Sequence, residues 1–205
     1  MTGREERFLS VRMLMKQFDR EPQHALQVTR LALKLFDQLN ALHGLGDKER
    51  DWLEAAGLLH DIGWSQSANG HHKESQKLIL KADLLGWSDE EKLMIANVAR
   101  YHRKSAPKVS HKLFAVLNES AQAAVAKLAA ILRVADGLDR SHHNVVDEIT
   151  VRLADDAVRL QLHCRYEIGF ELYGFEKKRG LFGQVFGREI VVESILPATD
   201  TRAAM

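Results

Sequence analysis

Residues 55–63 read Ala-Ala-Gly-Leu-Leu-His-Asp-Ile-Gly, an apolar run in which His60 and Asp61 are the ionisable side chains. The run predicts that both side chains are buried. Burying an unpaired carboxylate is costly, on the order of 20 kcal/mol in the idealised limit, so a compensating group is needed. A divalent metal ion compensates well, because carboxylate oxygens and imidazole nitrogens are both good ligands for first-row metals. The alternatives are a buried His–Asp hydrogen bond and a helix C-cap at Gly63.

The composition is that of an ordinary globular protein. A chain of 205 residues suits one domain, or one domain with a small appendage. The net charge of +1 gives no overall attraction to nucleic acid or acidic membranes, so neither specific nucleic-acid binding nor membrane association is expected. The lone cysteine, Cys164, fits a reducing compartment. A charged N-terminus and the lack of any uncharged run near ~18 residues predict a cytoplasmic protein.

The first part of the chain, up to about residue 144, has the pattern of consecutive helices. Apolar residues recur at helical spacing over 50–62, and Gly63 is the expected end of that helix. Ser88 and Glu91 form a predicted capping box that opens a further helix. A long alanine-, leucine- and valine-rich helix is predicted over 120–140.

The pattern then changes to a period of two. Residues 149–153 and 158–162 alternate apolar and polar side chains and predict a β-hairpin, and 189–192 predict a third strand. An amphipathic stretch between them predicts a helix. The fold class predicted is therefore mainly α, a helical bundle over residues 1–144 followed by a small α+β subdomain over 145–205 with hairpin, helix and strand.

Five helical segments each place a histidine or an aspartate on their apolar face. These residues are His24, His60, His71, His102 and Asp136. One inward histidine is usually a satisfied core residue, but five inward ligands favour one shared site. Asp136 is the strongest of them, because an unpaired aspartate on an apolar stripe is strongly destabilising. Its alternative explanation is a salt bridge to Arg133 or Arg140.

Several stretches together resemble the HD-domain superfamily of metal-dependent phosphohydrolases. They are residues 24–28, 58–63, 70–75, 100–104 and 131–142. More closely, the chain resembles the C-terminal region of the exopolyphosphatase/guanosine pentaphosphate phosphatase (Ppx/GppA) family, including its last subdomain at 181–187. That family carries an actin-like ATPase domain ahead of this region. The phosphate-binding loops of that domain are not found here, so its activity is not expected of this chain.

The resemblance implies a metal centre with two ions. His24, His60, Asp61 and Asp136 would surround one ion, and His71 and His102 would hold a second, with Asp61 bridging. His72 is the alternative to His71. Nitrogen and oxygen ligands suit manganese, iron, nickel or zinc without selecting among them. Arg20 stands one turn before His24, where trinuclear relatives have glutamate, so a third ion is not expected.

Basic residues beside the ligand positions are candidates for binding substrate phosphates. They are Lys73, Arg103, Lys104 and Arg140, with His72 as a further candidate. For each of the four lysines and arginines, the alternative explanation is a place on a solvated basic surface.

The function implied is a metal-dependent phosphohydrolase, with Asp61 and His60 as catalytic residues. Hydroxide formed from water at the ions would attack a phosphate ester or anhydride of a nucleotide or another small phosphorylated compound. Two alternatives remain: an HD module that binds polyphosphate or an alarmone without cleaving it, and a module that docks on a separate ATPase-domain partner. The apolar tail around Phe182 and Phe186 suggests a homodimer.

Overall fold

A computed structural model describes residues 3–197, and most of them are helical. The helices are α1 (Gly3–Phe18), α2 (Pro22–Gln38), α3 (Asn40–His43), α4 (Asp47–Leu59), α5 (His71–Lys81), α6 (Asp89–Arg100), α7 (Lys112–Ala115), α8 (Glu119–Gly137), α9 (Gly169–Lys178) and α10 (Gly180–Phe186). The strands are β1 (Val146–Leu153), β2 (Ala157–Cys164) and β3 (Glu189–Pro197). The predicted mainly α fold with a small α+β end is confirmed.

Side-chain caps define where two of the long helices begin. The Ser88 hydroxyl accepts a hydrogen bond from the backbone N–H of Glu91, and the Glu91 carboxylate accepts one from the backbone N–H of Ser88. This reciprocal pair is the predicted capping box. Asn118 caps α8 by accepting a hydrogen bond from the backbone N–H of Ala121. Both caps satisfy donors that the first helical turn leaves unpaired.

Helix α8 is the central element of the structure. It packs against α2, α4, α6, α9 and α10. Its residues from Leu128 to Gly137 are buried, including Arg133 and Asp136. The C-terminal end of α8 lies in this packed interior. Asp136, which lies near that end, is therefore held among the ends of neighbouring helices.

The sheet has the order β1-β2-β3. Strands β1 and β2 pair antiparallel, with Val151 opposite Leu160, and β3 pairs parallel with β2, with Leu160 opposite Val192. The predicted hairpin and third strand are confirmed, although each strand is longer than its pattern indicated. The predicted boundary between residues 144 and 145 stays a prediction, and the last eight residues of the second unit lie outside the described residues.

The apolar tail packs within the chain. Phe182 is buried, and its ring centroid lies 4.5 Å from that of Phe186 in the same helix, α10. Helix α10 packs on α8 and β3. A homodimer therefore stays a prediction, and Phe182 is not an exposed surface that would support it.

No helix within residues 3–197 combines the length and the apolar character that crossing a bilayer requires. The cytoplasmic location stays a prediction.

Candidate metal centre

The His60–Asp61 pair lies in a turn, and not inside a helix as predicted. Helix α4 ends at Leu59, and a short 3₁₀ helix begins at Ile62. Ser75 of α5 explains the early end. Its hydroxyl donates a hydrogen bond to the carbonyl of His60 (2.7 Å) and accepts one from the backbone N–H of Gly63 (2.9 Å). A side chain from the next helix thus takes over backbone groups that a longer α4 would have paired within itself.

Gly63 allows α5 to approach this turn closely. A Cβ atom on residue 63 would lie 2.1 Å from the carbonyl oxygen of His71 and 2.4 Å from the backbone nitrogen of Ser75. Both neighbours are backbone atoms, so a side chain here would force the two segments apart. The close approach brings His71, the first residue of α5, to face Asp61.

A first group of possible ligands comprises His24 of α2, His60 after α4 and Asp136 of α8. All three are buried, and one donor atom from each lies within 4.8 Å of the others. The distance from His24 Nε2 to Asp136 Oδ1 is 3.5 Å. Three separate elements thus converge on one point, as the helical spacing predicted.

A second group comprises Asp61, His71 and His102, again with donor atoms within 4.8 Å of one another. Asp61 Oδ1 lies 3.2 Å from Nε2 of His71 and 3.4 Å from Nε2 of His102. His71, rather than His72, belongs to this group. The six predicted ligands are therefore brought together as two adjoining sets.

Asp61 connects the two groups through its two carboxylate oxygens. While Oδ1 faces the second group, Oδ2 lies 3.6 Å from His60 Nε2 and 3.9 Å from His24 Nε2. A carboxylate with one oxygen toward each set can bridge two ions. The sequence resemblance implied such a bridge between two ions, and the bridge stays a prediction.

Backbone carbonyls fix the imidazole tautomers in both groups. Nδ1 of His60 lies 2.7 Å from the carbonyl oxygen of Gly57, and Nδ1 of His102 lies 2.7 Å from that of Ala99. A carbonyl oxygen can only accept, so each Nδ1 carries the hydrogen and donates it. The Nε2 atoms of both rings consequently carry lone pairs. Nε2 of His60 has no hydrogen-bond partner among the described residues, and Nε2 of His102 lies 3.4 Å from Nε2 of His71.

Both carboxylates in the site are anionic. Burial by itself raises the pKa of Asp61, but the facing His60 and the neighbouring His71 hold that pKa well below its usual range. Burial likewise opposes ionisation of Asp136, yet Lys178 and His24 hold its pKa well below the usual range. Asp136 is buried, whereas the side chain of Asp61 is 15% exposed, so the predicted burial of Asp61 is only partial. Two negative charges so close together require positive charge nearby.

Two of the histidines differ in their protonation. Burial alone lowers the pKa of His24, but hydrogen bonds to Asp136 and Asp139 outweigh it and raise that pKa to about 10. His24 thus carries a proton that partly compensates the carboxylates, and a bound metal ion would replace that proton. Burial lowers the pKa of His102 well below its ordinary value, so its ring is neutral and ready to act as a ligand.

The residues fit a metal ion by two tests. First, His60 Nε2 and Asp61 Oδ1 are buried without a hydrogen-bond partner among the described residues, which is uncommon for buried polar atoms and calls for a missing partner. Second, ligand atoms about 2.1 Å from one ion in tetrahedral geometry lie about 3.4 Å from each other. The 3.2 Å and 3.4 Å separations around Asp61 Oδ1 match that spacing.

The predicted phosphate-binding residues separate into two sets. Arg103 contacts the second group of possible ligands, since its Nη1 lies 3.0 Å from Nε2 of His71. His72 is buried beside it, and burial together with the charge of Arg100 lowers the pKa of His72 to about 4. The side chains of Lys73, Lys104 and Arg140 are exposed. Lys73 lines a different pocket, of about 340 Å³.

A pocket of about 390 Å³ gives access to the first group. It is lined by Asp19, Arg20, Glu21, His24, Asp61, Trp64 and His142. Two rings form its walls: that of His142 stacks on His24 at 3.8 Å between centroids, and that of Trp64 stacks on His71 at 4.2 Å. The pocket thus leads from the surface to the carboxylate of Asp61.

Two residues at the centre were missed by the sequence analysis. Asp139 lies within hydrogen-bond distance of His24, and Lys178 forms an ion pair with Asp136. The cation beside Asp136 is therefore a lysine of α9 and neither Arg133 nor Arg140. Asp139 could have been found by its spacing, since it follows Asp136 by three residues, in the turn directly after the same helix.

Fold and site together define a mainly α protein with a candidate two-ion centre built from histidines and aspartates. The sequence matches the family described as Ppx/GppA phosphatase, domain III, over residues 7–171. The match covers most of the chain, which therefore belongs to the Ppx/GppA phosphatase family. Lys178 lies beyond the end of the matched region.

Proposed function

We propose that this protein is an HD-type, metal-dependent phosphohydrolase. Its substrate would be a phosphate ester or anhydride of a nucleotide or another small phosphorylated compound. The observation that carries the proposal is the position of Asp61, whose two oxygens face two different sets of histidines. A carboxylate that only closed a buried hydrogen bond would not need five further ligand-type side chains around it.

The two sets of residues would hold two ions, of manganese, iron, nickel or zinc. His24, His60 and Asp136 would bind one, His71 and His102 the other, and Asp61 would bridge them. When bound, such ions lower the pKa of a water molecule between them and withdraw charge from phosphoryl oxygens. The protein supplies the geometry, because the rings of His60 and His102 are already fixed by backbone acceptors.

The size of the access pocket supports a small substrate. Its volume of about 390 Å³ lies near the lower end of the roughly 300–1,000 Å³ that small-molecule sites occupy. Arg103 is placed to donate hydrogen bonds to a phosphoryl oxygen, because its guanidinium already lies against His71. The walls formed by Trp64 and His142 would limit the access of bulk water to the reacting group.

Elemental analysis of the purified protein tests the proposal most directly. We expect about two equivalents of transition metal in the wild type and a large loss in Asp61→Ala, since that variant removes the shared ligand. Asp155→Ala is the matched control, because Asp155 is exposed in the hairpin turn. Release of inorganic phosphate from a panel of nucleotides and phosphate esters should follow the metal content.

Little metal in the wild type, even after reconstitution with manganese or iron, would contradict the hydrolase proposal. Binding of polyphosphate by that metal-free protein, without hydrolysis, would instead identify a binding module. In that case Arg103 would be an anion-binding residue. The histidine clusters would have no catalytic function.

A further inference from the structure

A lysine from the C-terminal part of the chain reaches into the candidate metal centre. Nζ of Lys178, the last residue of α9, forms an ion pair with Oδ2 of Asp136. The side chain of Asp136 is 8% exposed and that of Lys178 is 22% exposed. The ammonium group therefore lies at the border between the buried carboxylate and solvent.

Backbone contact between two glycines sets the position of this lysine. The Cβ positions of Gly137 and Gly174 would each lie within 3 Å of the other residue's carbonyl oxygen. Gly137 follows Asp136 in α8, and Gly174 precedes Lys178 by one helical turn in α9. Residues four apart lie on the same face of a helix, so the docking of α9 against α8 directs Lys178 toward Asp136.

Lys178 and His24 contact different oxygens of the Asp136 carboxylate. Oδ1 faces His24 at 3.5 Å, whereas Oδ2 accepts the hydrogen bond from Nζ. One carboxylate can thus offer Oδ1 as a ligand and hold the lysine through Oδ2 at the same time. An ammonium group has three N–H donors, and this ion pair occupies one of them.

A second cation, Arg103, lies beside the second group. Its Nη1 lies 3.0 Å from His71 Nε2. Each set of possible ligands therefore has one partly exposed cation in direct contact with it. A phosphoryl group carries several anionic oxygens, and cations at two sides of it are a common way to bind and orient such a group.

We propose that Lys178 is a substrate-binding residue, which donates a hydrogen bond to a phosphoryl oxygen at the metal centre. The inference rests on the proposed function for the identity of the ligand. It assigns to α9 a direct part in the site. It also distinguishes Lys178 from a residue that merely neutralises Asp136, because a neutralising residue would not contact phosphate.

Binding of inorganic phosphate, measured by calorimetry with manganese-loaded protein, tests this role. We expect Lys178→Met to weaken phosphate binding about tenfold or more, as loss of a charge-assisted hydrogen bond implies. Lys178→Gln should do the same, and its amide can still donate to Asp136, so it guards against misfolding of the first variant. Lys177→Met is the control, because Lys177 is exposed and lies over the ring of Tyr173.

The metal content of each variant is measured alongside. A purely neutralising lysine would give tighter metal binding in Lys178→Gln with phosphate affinity unchanged, and that result would overturn the inference. Failure of the wild type to load metal would contradict the proposed function alone. In that case the same comparison is made without metal, and equal phosphate affinities of wild type and Lys178→Gln, or no phosphate binding in either, would overturn the role of Lys178.

Discussion

Nδ1 of His24 lies 2.8 Å from Oδ2 of Asp139, and both side chains are buried. The other oxygen of Asp139 accepts a hydrogen bond from the backbone N–H of Asn144 at 2.9 Å, which fixes the carboxylate plane. His24 is thereby oriented with Nε2 toward Asp136. Carboxylates in this position orient a histidine ligand and raise its basicity.

Asp139→Asn should weaken metal binding about 10- to 100-fold, as such partners do elsewhere. The amide oxygen of asparagine can still accept from Asn144, but its NH₂ group cannot accept the Nδ1 hydrogen of His24. Competition with a chromophoric chelator measures the metal affinity, and Asp155→Asn in the exposed hairpin turn is the control. Equal affinities of Asp139→Asn and the wild type would show that Asp139 does not support a metal ligand.

Gly63→Ala should destabilise the protein by about 3 kcal/mol, at the upper end of the usual range for overpacking. The added Cβ would lie 2.1 Å from the carbonyl oxygen of His71, so α5 would have to move away from the His60–Asp61 turn. Urea unfolding measures the change in the free energy of unfolding. Weaker metal binding should accompany it, because the displaced helix carries His71.

Gly169→Ala is the matched control for that variant. A Cβ on residue 169 meets no atom within 4 Å, and the residue begins helix α9. Alanine there reduces the freedom of the unfolded chain without strain, so equal or slightly higher stability is expected. Similar unfolding curves for Gly63→Ala and Gly169→Ala would show that the turn and α5 do not need their close contact.

His43 should make stability depend on pH. Its Nε2–H donates to the carbonyl of Phe36, and its Nδ1 accepts from the backbone N–H of Leu45. Burial is the main cause that lowers the pKa of His43. The unfolded chain protonates this histidine near pH 6.5 and the folded protein only at lower pH. The free energy of unfolding therefore falls as the pH drops below about 6.5.

His43→Gln should lose less stability than the wild type between pH 8 and pH 5, because the unfolded variant no longer takes up that proton. Urea unfolding at both pH values, with EDTA present, measures the difference between the two proteins. His143→Gln, in an exposed position, controls for the removal of a histidine. An equal loss of stability in His43→Gln and the wild type would contradict the prediction.

Local sequence patterns predicted most of the fold, because they record which face of each element is buried. The capping box at Ser88, the hairpin and the third strand all follow from short-range spacing. The end of α4 could not be predicted in this way. It depends on the hydroxyl of Ser75, which reaches the turn only after α5 has packed against it.

The candidate site shows the same division between local and tertiary information. His71 could be preferred to His72 because it shares the apolar stripe of its own helix. Lys178 follows Asp136 by 42 residues, and no periodicity links the two. Their contact depends on the docking of α9 along α8, which is a property of the folded chain.

Gly174→Ala tests that docking. A Cβ on residue 174 would lie 2.5 Å from the carbonyl oxygen of Gly137 and 2.7 Å from Cβ of Arg140, so α9 would have to move away from α8. We expect a loss of about 1–3 kcal/mol in the free energy of unfolding, the usual range for overpacking. The same movement would withdraw Lys178 from Asp136.

Gly180→Ala separates this effect from the general consequences of adding a methyl group. Gly180 begins α10, and a Cβ there meets no atom within 4 Å, so its substitution should leave stability equal or slightly raised. Urea unfolding compares the two variants, and phosphate binding reports on Lys178. If Gly174→Ala were as stable as Gly180→Ala and bound phosphate equally well, the glycine contact would not be what holds Lys178 at the site.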